Sequence, residues 1–86
     1  MKVIMPSPLH AYTRGRDAVE ASGASLSALL DDLDAHHPGL RFRIVDEQDR
    51  VRPHVRFFVN GELVRALDRA LNESDAVQIV CALSGG

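Results

Sequence analysis

The sequence predicts a two-layer α+β domain, in which one amphipathic helix packs on a mixed sheet of about four to five strands. Three observations predict this architecture. Leucines recur at helical spacing over residues 25–39, Asn60-Gly61 separates two apolar runs as in a tight hairpin, and a further apolar run occupies residues 76–83. With 86 residues, no internal repeat and no linker, the chain is expected to form one domain, 1–86.

The composition is that of an ordinary globular protein and argues against several function classes. Apolar residues make up 45% of the chain, and the formal net charge of −2 gives no electrostatic reason to bind nucleic acid. No apolar run reaches the length of a membrane span, and Pro6 and Pro8 interrupt the N-terminus before a signal peptide could develop. We therefore expect a cytoplasmic protein with no membrane or nucleic-acid partner. The single Cys81 agrees, because it cannot form an internal disulfide.

Short segments near the N-terminus predict the first two strands. Residues 2–5 are mainly apolar and are stopped by Pro6, which is typical of a strand that runs into a loop. Residues 6–15 contain two prolines and a glycine and are interpreted as that loop. Residues 17–21 alternate between polar and apolar side chains, so they are expected to pair with the first strand as a hairpin.

The segment after Ser25 predicts the main helix. The Ser25 side chain can accept hydrogen bonds from the free N–H groups of the first turn, and Pro38-Gly39 ends the helical pattern. Between them, leucines recur at i, i+3, i+4 and i+7, which places them on one helix face. These leucines are Leu26, Leu29, Leu30 and Leu33. We expect this stripe to pack on one face of the sheet.

Alternation and turn chemistry predict the middle of the sheet. Residues 41–45 alternate and are interpreted as a strand, the charged residues 46–53 as a loop, and residues 55–59 as a second strand. Asn60-Gly61 favours a tight turn, because both central positions of a type I′ turn need φ > 0. Residues 62–64 are the returning arm of this hairpin.

The last part of the chain holds an irregular segment, a strand and a short tail. Residues 66–75 are expected to be irregular, with a short helical turn at 67–71. Residues 76–83 are interpreted as the final strand. We expect it to be central, because a thin sheet gains most when its last strand is held on both sides. Residues 84–86 then form a flexible C-terminal tail.

The tail, Ser84-Gly85-Gly86, is the feature that points to a function. Two terminal glycines carry no side chains, so such an end can enter a narrow channel in a partner and present its carboxylate there. A carboxylate is a poor electrophile, so its use requires activation, for example by AMP from ATP. A sulfur nucleophile can then displace AMP and leave a C-terminal thiocarboxylate. The alternative is a frayed terminus with no function.

The order of these motifs resembles that of the MoaD/ThiS-type sulfur carriers, which share the ubiquitin-like β-grasp fold. The resemblance covers nearly the whole chain. Its segments are Pro6-Ser7-Pro8-Leu9, residues 25–33, His37-Pro38-Gly39-Leu40, Phe58-Val59-Asn60-Gly61-Glu62, and Ala76-Val77-Gln78-Ile79-Val80 followed by Gly85-Gly86. The chain departs from the family pattern where residues 72–77 lack the usual glycine and residues 81–84 lack a proline.

The resemblance implies a carrier protein without catalytic residues of its own. An E1-like adenylyltransferase would use ATP, with Mg, to adenylate the Gly86 carboxylate, and sulfuration would then give the thiocarboxylate. No cofactor would be bound stably, and the free protein would be a monomer. A sulfur-acceptor enzyme would use the sulfur for molybdopterin, thiamin or cysteine synthesis, or for a related product. The helix exit and the Pro-x-Pro-Leu stretch resemble the longer family members, which include the carriers for cysteine synthesis.

Three other functions stay open from the sequence. The same tail could belong to a small subunit of molybdopterin synthase that stays inserted in its catalytic partner. It could equally belong to a ubiquitin-like modifier that forms isopeptide bonds through Gly86. A different class is a β-grasp interaction module whose terminal Gly-Gly has no function.

Alternation along two strands predicts a docking face for partners. The side chains expected to point inward are Val55, Phe57, Val59, Val77, Ile79 and Cys81. Phe58 and Val80 would then form an apolar patch on the sheet face opposite the helix, at positions that align with the partner-binding patch of ubiquitin. Arg56 and Leu83 complete this proposed docking set. The alternative is that isolated exposed apolar residues carry no function.

Other polar residues are given no catalytic or metal-binding role. No recurring spacing of carboxylate, histidine and nucleophile involves the histidines, which are His10, His36, His37 and His54. A solvated helix face is the interpretation for Asp31, Asp32 and Asp34. Contact with an acidic partner or solvated strand edges are the two interpretations for Arg41, Arg43, Arg50, Arg52 and Arg56. Cys81 is interpreted as a small apolar strand residue, and no metal site is expected.

Overall fold

A five-stranded mixed sheet forms one layer of the protein, as described for residues 1–81 in a computed structural model. The strands are β1 Lys2–Ile4, β2 Ala18–Glu20, β3 Val55–Val59, β4 Glu62–Val64 and β5 Val77–Cys81. Their order is β2-β1-β5-β3-β4, with β5 parallel to β1 and antiparallel to β3. The predicted central position of the last strand is therefore confirmed, while residues 82 and 83 of the predicted strand lie outside the described residues.

Both predicted hairpins are present. β1 and β2 pair antiparallel with Val3 opposite Val19, and β3 and β4 pair antiparallel with Phe58 opposite Leu63. The turn between β3 and β4 has φ of 51° at Asn60 and 83° at Gly61, the positive values that a type I′ turn requires. This tight turn returns β4 directly along β3.

Helix α1, Leu26–His36, forms the second layer and begins and ends near the predicted positions. Ser25 Oγ accepts a 3.1 Å hydrogen bond from the Ala28 N–H, which caps the first turn. All four leucines of the stripe are at most 1% exposed, and they share one core with Phe57 and Ile79 of the sheet. The predicted packing of the stripe on one sheet face is confirmed.

The predicted strand over residues 41–45 is wrong. The chain instead forms a short helix, α2, Leu40–Ile44. Leu40 and Ile44 are four residues apart and both fully buried, a spacing that one helix face satisfies and an extended strand also permits. Packing against α1 decides between them, and Phe42 is left 57% exposed. Gly39 starts this turn with φ of 92°, a conformation that favours glycine.

Two further local predictions also differ from the structure. Residues 6–15, expected to be a loop, contain the 3-10 helix Ser7–Thr13, which Pro8 favours at its first turn and which buries Leu9 and Thr13. In place of the helical turn expected at 67–71, the chain makes a single turn, in which the Arg69 N–H donates to the Ala66 carbonyl oxygen at 3.2 Å, and then a β-bridge at Ala70. There the Leu67 and Arg69 carbonyls accept hydrogen bonds from the free N–H groups at the start of α1.

No helix within residues 1–81 is both long enough and apolar enough to cross a membrane.

Candidate functional site

The sheet face opposite α1 carries three of the four predicted docking residues, Arg56, Phe58 and Val80. Along β3, Val55, Phe57 and Val59 are at most 1% exposed, so Arg56 and Phe58 between them point away from the core. Along β5 the core side chains are Val77 and Ile79, while Gln78 is exposed and Val80 half-buried. Cys81 is half-buried and packs against the core. The predicted inward and outward assignments of these two strands are confirmed.

Register places the outward side chains in adjacent rows. Phe58 lies opposite Gln78 on one side and Leu63 on the other, and Gln78 lies opposite Ile4 of β1. One row therefore crosses four strands through Ile4, Gln78, Phe58 and Leu63. Val80 lies opposite Arg56 in the next row, diagonal to Phe58.

Ile4 and Leu63 belong to this apolar surface, although the sequence interpretation did not include them. Leu63 is 42% exposed and Ile4 is half-buried. Val3 and Val64 beside them are buried. In the sequence, Ile4 follows Val3 and Leu63 precedes Val64. If the valines point inward, alternation along each strand predicts that Ile4 and Leu63 point outward. We refer to Ile4, Phe58, Leu63 and Val80 as the outer patch.

Arg56 provides the positive charge at the margin of the outer patch. Its Nη1 donates to the Pro53 carbonyl oxygen at 2.6 Å and to the Val55 carbonyl oxygen at 2.9 Å. These bonds hold the guanidinium beside the strand end where Val55 lies opposite Cys81. A partner that covers the outer patch would therefore meet a fixed cation close to the point where β5 leads towards the tail.

A groove of about 330 Å³ follows the last described part of β5. One wall is Gln78–Cys81, and the other is the segment from Ile4 to Pro8, which includes the Pro-x-Pro stretch. Because β5 and β1 are parallel, both strands point their carboxyl ends towards this groove. The groove therefore extends the outer patch to the end of β5.

The tail residues themselves lie outside the described residues. This applies to Gly86, whose carboxylate is the predicted reacting group, to Ser84 and Gly85, and to Leu83 of the predicted docking set. Their roles stay predictions. The structure describes the strand that leads to them and the surfaces on each side of its end.

Cys81 is the last described residue and lines cavities on both sides of β5. One is the groove beside β1, and the other has a volume of about 390 Å³ and includes Tyr12, Arg43 and His54. Burial raises the pKa of the Cys81 thiol. Since the thiolate is the nucleophilic form, a raised pKa favours the interpretation of Cys81 as a packing residue.

Three of the four histidines make contacts that stabilise the backbone. His10 Nε2 is 3.1 Å from the Met5 carbonyl oxygen, and His37 Nδ1 is 3.1 Å from that of Tyr12. His36 Nδ1 lies 2.9 Å from the Asp32 carbonyl oxygen. Within residues 1–81, no group of three or more histidine, cysteine, aspartate or glutamate side chains is close enough together to hold a metal ion.

The aspartates of α1 differ from the predicted solvated face. Asp31 is exposed, but Asp32 Oδ2 accepts a 2.9 Å hydrogen bond from the Ser22 N–H. Asp34 Oδ1 accepts bonds of 3.1 Å from the N–H groups of Gly39 and Arg41. The N–H groups of Ser22, Gly39 and Arg41 lie before and after α1 in the chain and are not bonded within a helix or sheet. The two carboxylates therefore serve as their hydrogen-bond acceptors.

Each arginine singled out in the sequence contacts a neighbouring residue of the chain. Arg41 lies 2.9 Å from Asp31 and 3.0 Å from Asp49, and Arg43 donates to the Tyr12 hydroxyl at 2.6 Å. The other contacts pair Arg50 with Asp46, Arg52 with the Phe42 ring, and Arg56 with Pro53. Four of the five therefore lie on α2 or in the loop after it, Arg56 lies on β3, and Arg41 and Arg43 belong to α2 rather than to a strand edge.

The turn before β5 is built without the family glycine. Asp75 Oδ2 accepts a 2.8 Å hydrogen bond from the Asn72 N–H, and Asp75 Oδ1 accepts one of 2.9 Å from Asn60 Nδ2. The backbone bond from Asn72, followed by the bond from Asn60, holds the pKa of Asp75 below its ordinary value. An aspartate side chain thus closes a turn for which the family pattern uses glycine.

Comparisons with known proteins agree on one relationship. The model of the ThiS family matches residues 4–86. The "Sulfur carrier protein CysO" of Mycobacterium tuberculosis is 36% identical over 89 residues, which cover 98% of this chain and 96% of the relative.

Solved structures resemble this one over nearly its whole length. A chain in the crystal structure of the Amycolatopsis orientalis BexX/CysO complex superposes with a TM-score of 0.91 at 32% identity, covering 99% of this chain and 98% of that chain. SAMP1 from Haloferax volcanii superposes with a TM-score of 0.79 at 27% identity, covering 100% of this chain and 98% of its own. These similarities confirm the β-grasp fold that the sequence predicts.

Proposed function

The chain belongs to the ThiS family, and from this premise we propose that it is a sulfur carrier that works through its Gly86 carboxylate. The observation that carries the proposal is the central position of β5, which leads directly to residues 82–86. A strand that is hydrogen-bonded on both sides resists displacement when a partner pulls on the segment after it. The chain is thus suited to offering its end to another enzyme.

The proposed chemistry takes place in two steps on the tail. A Gly86 carboxylate oxygen attacks the α-phosphorus of ATP, with Mg, so that pyrophosphate leaves and a mixed anhydride with AMP forms. A hydrosulfide equivalent then attacks the carbonyl carbon, AMP leaves, and a thiocarboxylate results. An E1-like adenylyltransferase supplies the catalytic groups, and this chain binds no cofactor stably. Because activation consumes ATP, we propose a cytoplasmic carrier.

Two partner enzymes are required by this scheme, one for activation and one that accepts the sulfur. We propose that both use the outer patch with Arg56, since it borders the groove beside the end of β5. Support comes from the similar structure that contains a BexX/CysO complex, in which a CysO protein is assembled with another protein. Among acceptors we favour cysteine synthesis, because the M. tuberculosis relative carries the name CysO and the chain resembles the longer family members.

Intact-mass analysis tests the carrier function. Protein recovered from its native cell, or incubated with ATP, an activating enzyme and a sulfide source, should gain the mass of one oxygen-to-sulfur exchange, and fragmentation should place it on Gly86. Removing Gly86 should abolish the exchange, while the matched Gly15→Ala variant should keep it. A plain carboxylate under all of these conditions would refute the proposal.

Protein modification is the second candidate function. The similarity to SAMP1, a small archaeal modifier protein from Haloferax volcanii, favours it. The same activated Gly86 would then form an isopeptide bond with a lysine amine, and AMP would leave. Tryptic fragments of cellular proteins would carry a Gly86-derived remnant on lysine. Such remnants without any thiocarboxylate would favour the modifier over the carrier.

The small-subunit function differs in how long the tail stays in its partner. A subunit of molybdopterin synthase would co-purify with a catalytic partner at fixed stoichiometry. A carrier would be recovered mainly free, with the thiocarboxylate appearing and disappearing as the donor and acceptor are supplied.

A further inference from the structure

A second surface lies along the β2 edge of the sheet, beside Ile4 at one end of the outer patch. A cavity of about 940 Å³ opens beside β2. Its walls include β2 itself, the end of the 3-10 helix near Tyr12, and the C-terminal end of α1 at His36 and His37. In the strand order, β1 separates β2 from β5, so this groove does not overlap the end of β5.

The backbone of β2 presents unpaired hydrogen-bonding groups to this groove. Met5 N–H donates to the Asp17 carbonyl oxygen at 2.8 Å, and Ala21 N–H donates to that of Met1 at 3.0 Å. Hydrogen-bonded pairs alternate along an antiparallel ladder, so the N–H and C=O groups of Ala18 and Glu20 point away from β1. Within residues 1–81 these backbone groups have no hydrogen-bond partner on the outer side.

Positive charge predominates around this edge, because Lys2, Arg14, Arg16 and the Met1 amino group outnumber Asp17 and Glu20. Arg14 and Arg16 lie at the start of β2, and Lys2 lies opposite Glu20 at its end. Within residues 1–81 these three cations make no ion pair, although Glu20 itself is 3.4 Å from the Met1 amino group. His36 and His37 form another wall of the groove, and the Nδ1 of each already contacts a backbone carbonyl oxygen.

We propose that this groove binds an extended peptide that adds to β2 as a sixth strand and places acidic side chains against Arg14 and Arg16. Strand addition satisfies the free groups of Ala18 and Glu20, and the backbone pairing supplies affinity. The positive rim supplies the charge selection, since carboxylates beside it are favoured and cations are repelled. This binding function is separate from sulfur transfer by the tail.

Charge also decides against a second copy of this chain as the occupant. Antiparallel pairing of two β2 edges would bring Arg14 and Arg16 of one copy beside Glu20, Lys2 and the Met1 amino group of the other, an end whose net charge is positive although Glu20 is negative. Parallel pairing would bring the arginines of both copies together. Both arrangements place like charges near each other at an edge of only three residues.

A synthetic peptide of about ten residues, with a valine and isoleucine centre followed by glutamates, is the probe for this site. NMR titration of the full chain should shift the amides of Ala18 and Glu20 most strongly, and their hydrogen exchange should slow when the peptide is bound. A peptide with a central proline should bind at least about tenfold more weakly, because it loses ladder hydrogen bonds. Replacing its glutamates by lysines should abolish binding.

Two variants of the protein separate strand addition from simple charge attraction. The double variant Arg14→Glu/Arg16→Glu should weaken the peptide at least about tenfold. Its matched control, Arg50→Glu/Arg65→Glu, has the same net charge but changes it away from the groove and should alter affinity by about twofold or less. Ala18→Pro removes only an outward N–H, so it should keep the fold and weaken the peptide.

Several results would overturn the proposal. They are no binding at millimolar peptide, largest shifts on β4 or on Phe58 and Val80, equal weakening by the two double variants, and unchanged affinity in a folded Ala18→Pro protein. Concentration-dependent self-association through β2 would also overturn it. None of these results bears on the thiocarboxylate, so the carrier function is tested separately.

Discussion

Asn60 and Asp75 join the β3–β4 turn to the start of the strand that leads to the tail. Asn60 Nδ2 donates to Asp75 Oδ1 at 2.9 Å, and Asn60 Oδ1 accepts from the Ala76 N–H at 2.9 Å. The Asn60 backbone N–H also donates to the Ala76 carbonyl oxygen at 2.8 Å. Asn60 therefore has two functions, since it adopts the φ of 51° that the turn requires and it holds the entry of β5.

The Asn60–Asp75 link predicts part of the acid sensitivity of the fold. The pKa of Asp75 is lowered, first by the Asn72 N–H and then by Asn60, so its ionised form is favoured in the folded state. The stability it contributes is fully present above the unfolded pKa of about 3.9 and is lost as pH falls through the lower folded pKa. Asp75→Asn should reduce the loss of stability below pH of about 4, measured by urea unfolding at several pH values.

Asp68→Asn is the matched control for that measurement, because it removes one carboxylate from an exposed position. It should leave the shape of the pH profile close to that of the unmodified chain. Asp46, whose pKa is lowered by the Arg50 and Gln48 N–H groups, continues to contribute in both variants. Identical profiles for Asp75→Asn and Asp68→Asn would contradict the assigned role.

Leu30 tests the packing of α1 on the sheet. It is fully buried in the core, so Leu30→Ala should lower the free energy of unfolding by about 2–5 kcal/mol. Leu63→Ala removes the same atoms from a side chain that is 42% exposed and should cost clearly less. Chemical denaturation gives both values, and equal losses would mean that the helix stripe does not carry the core.

Gly23 tests a close approach between backbone segments. A Cβ atom added there would lie 2.8 Å from the Leu29 Cα, which forms part of the α1 backbone and cannot move freely. Gly15 has open space around it and only a positive φ of 81°. Gly15→Ala should therefore cost about 1 kcal/mol, the penalty of a left-handed conformation, and Gly23→Ala should cost more. Thermal unfolding of the two variants checks this order.

The outer patch predicts a selective loss of partner binding. Phe58→Ala and Val80→Ala should weaken association with the activating enzyme while the fold and the tail stay intact, because central apolar side chains carry most interface energy. Phe42→Ala is the matched control, since its ring is 57% exposed but lies on α2, over Arg52. The KM for this protein in thiocarboxylate formation should rise only in the patch variants, and a rise of equal size in Phe42→Ala would argue against the patch.

The burial of Cys81 predicts that its thiol is not required for sulfur transfer. Burial raises its pKa, so the thiolate fraction at neutral pH is small and alkylation by iodoacetamide should be slower than for a free cysteine. Cys81→Ala should still acquire the thiocarboxylate on Gly86 at an unchanged rate. Loss of the oxygen-to-sulfur exchange in a folded Cys81→Ala protein would show instead that the thiol takes part.

The elements that the sequence predicted well are those decided by neighbouring residues. The Ser25 cap, the leucine spacing of α1 and the Asn60-Gly61 turn all depend on chemistry within a few positions, and each is present. The family motifs, including the terminal Gly85-Gly86, also lie in the linear order of residues. These motifs indicate the ThiS relationship without any tertiary contact, and they indicate the carboxylate that we propose to react.

Tertiary structure decided what local patterns left ambiguous. Residues 41–45 fit a strand by alternation, but Leu40 and Ile44 gain burial together only when the segment coils against α1. The outer patch needed strand register to bring Ile4 and Leu63 beside Phe58, and the groove along β2 needed the sheet order that leaves this edge free. The sequence by itself therefore determined the elements that depend on local chemistry, and it indicates the end that we propose to react. Burial and pairing between distant segments decided which side chains form the outer patch and the groove along β2, because those energies exist only once the chain has folded.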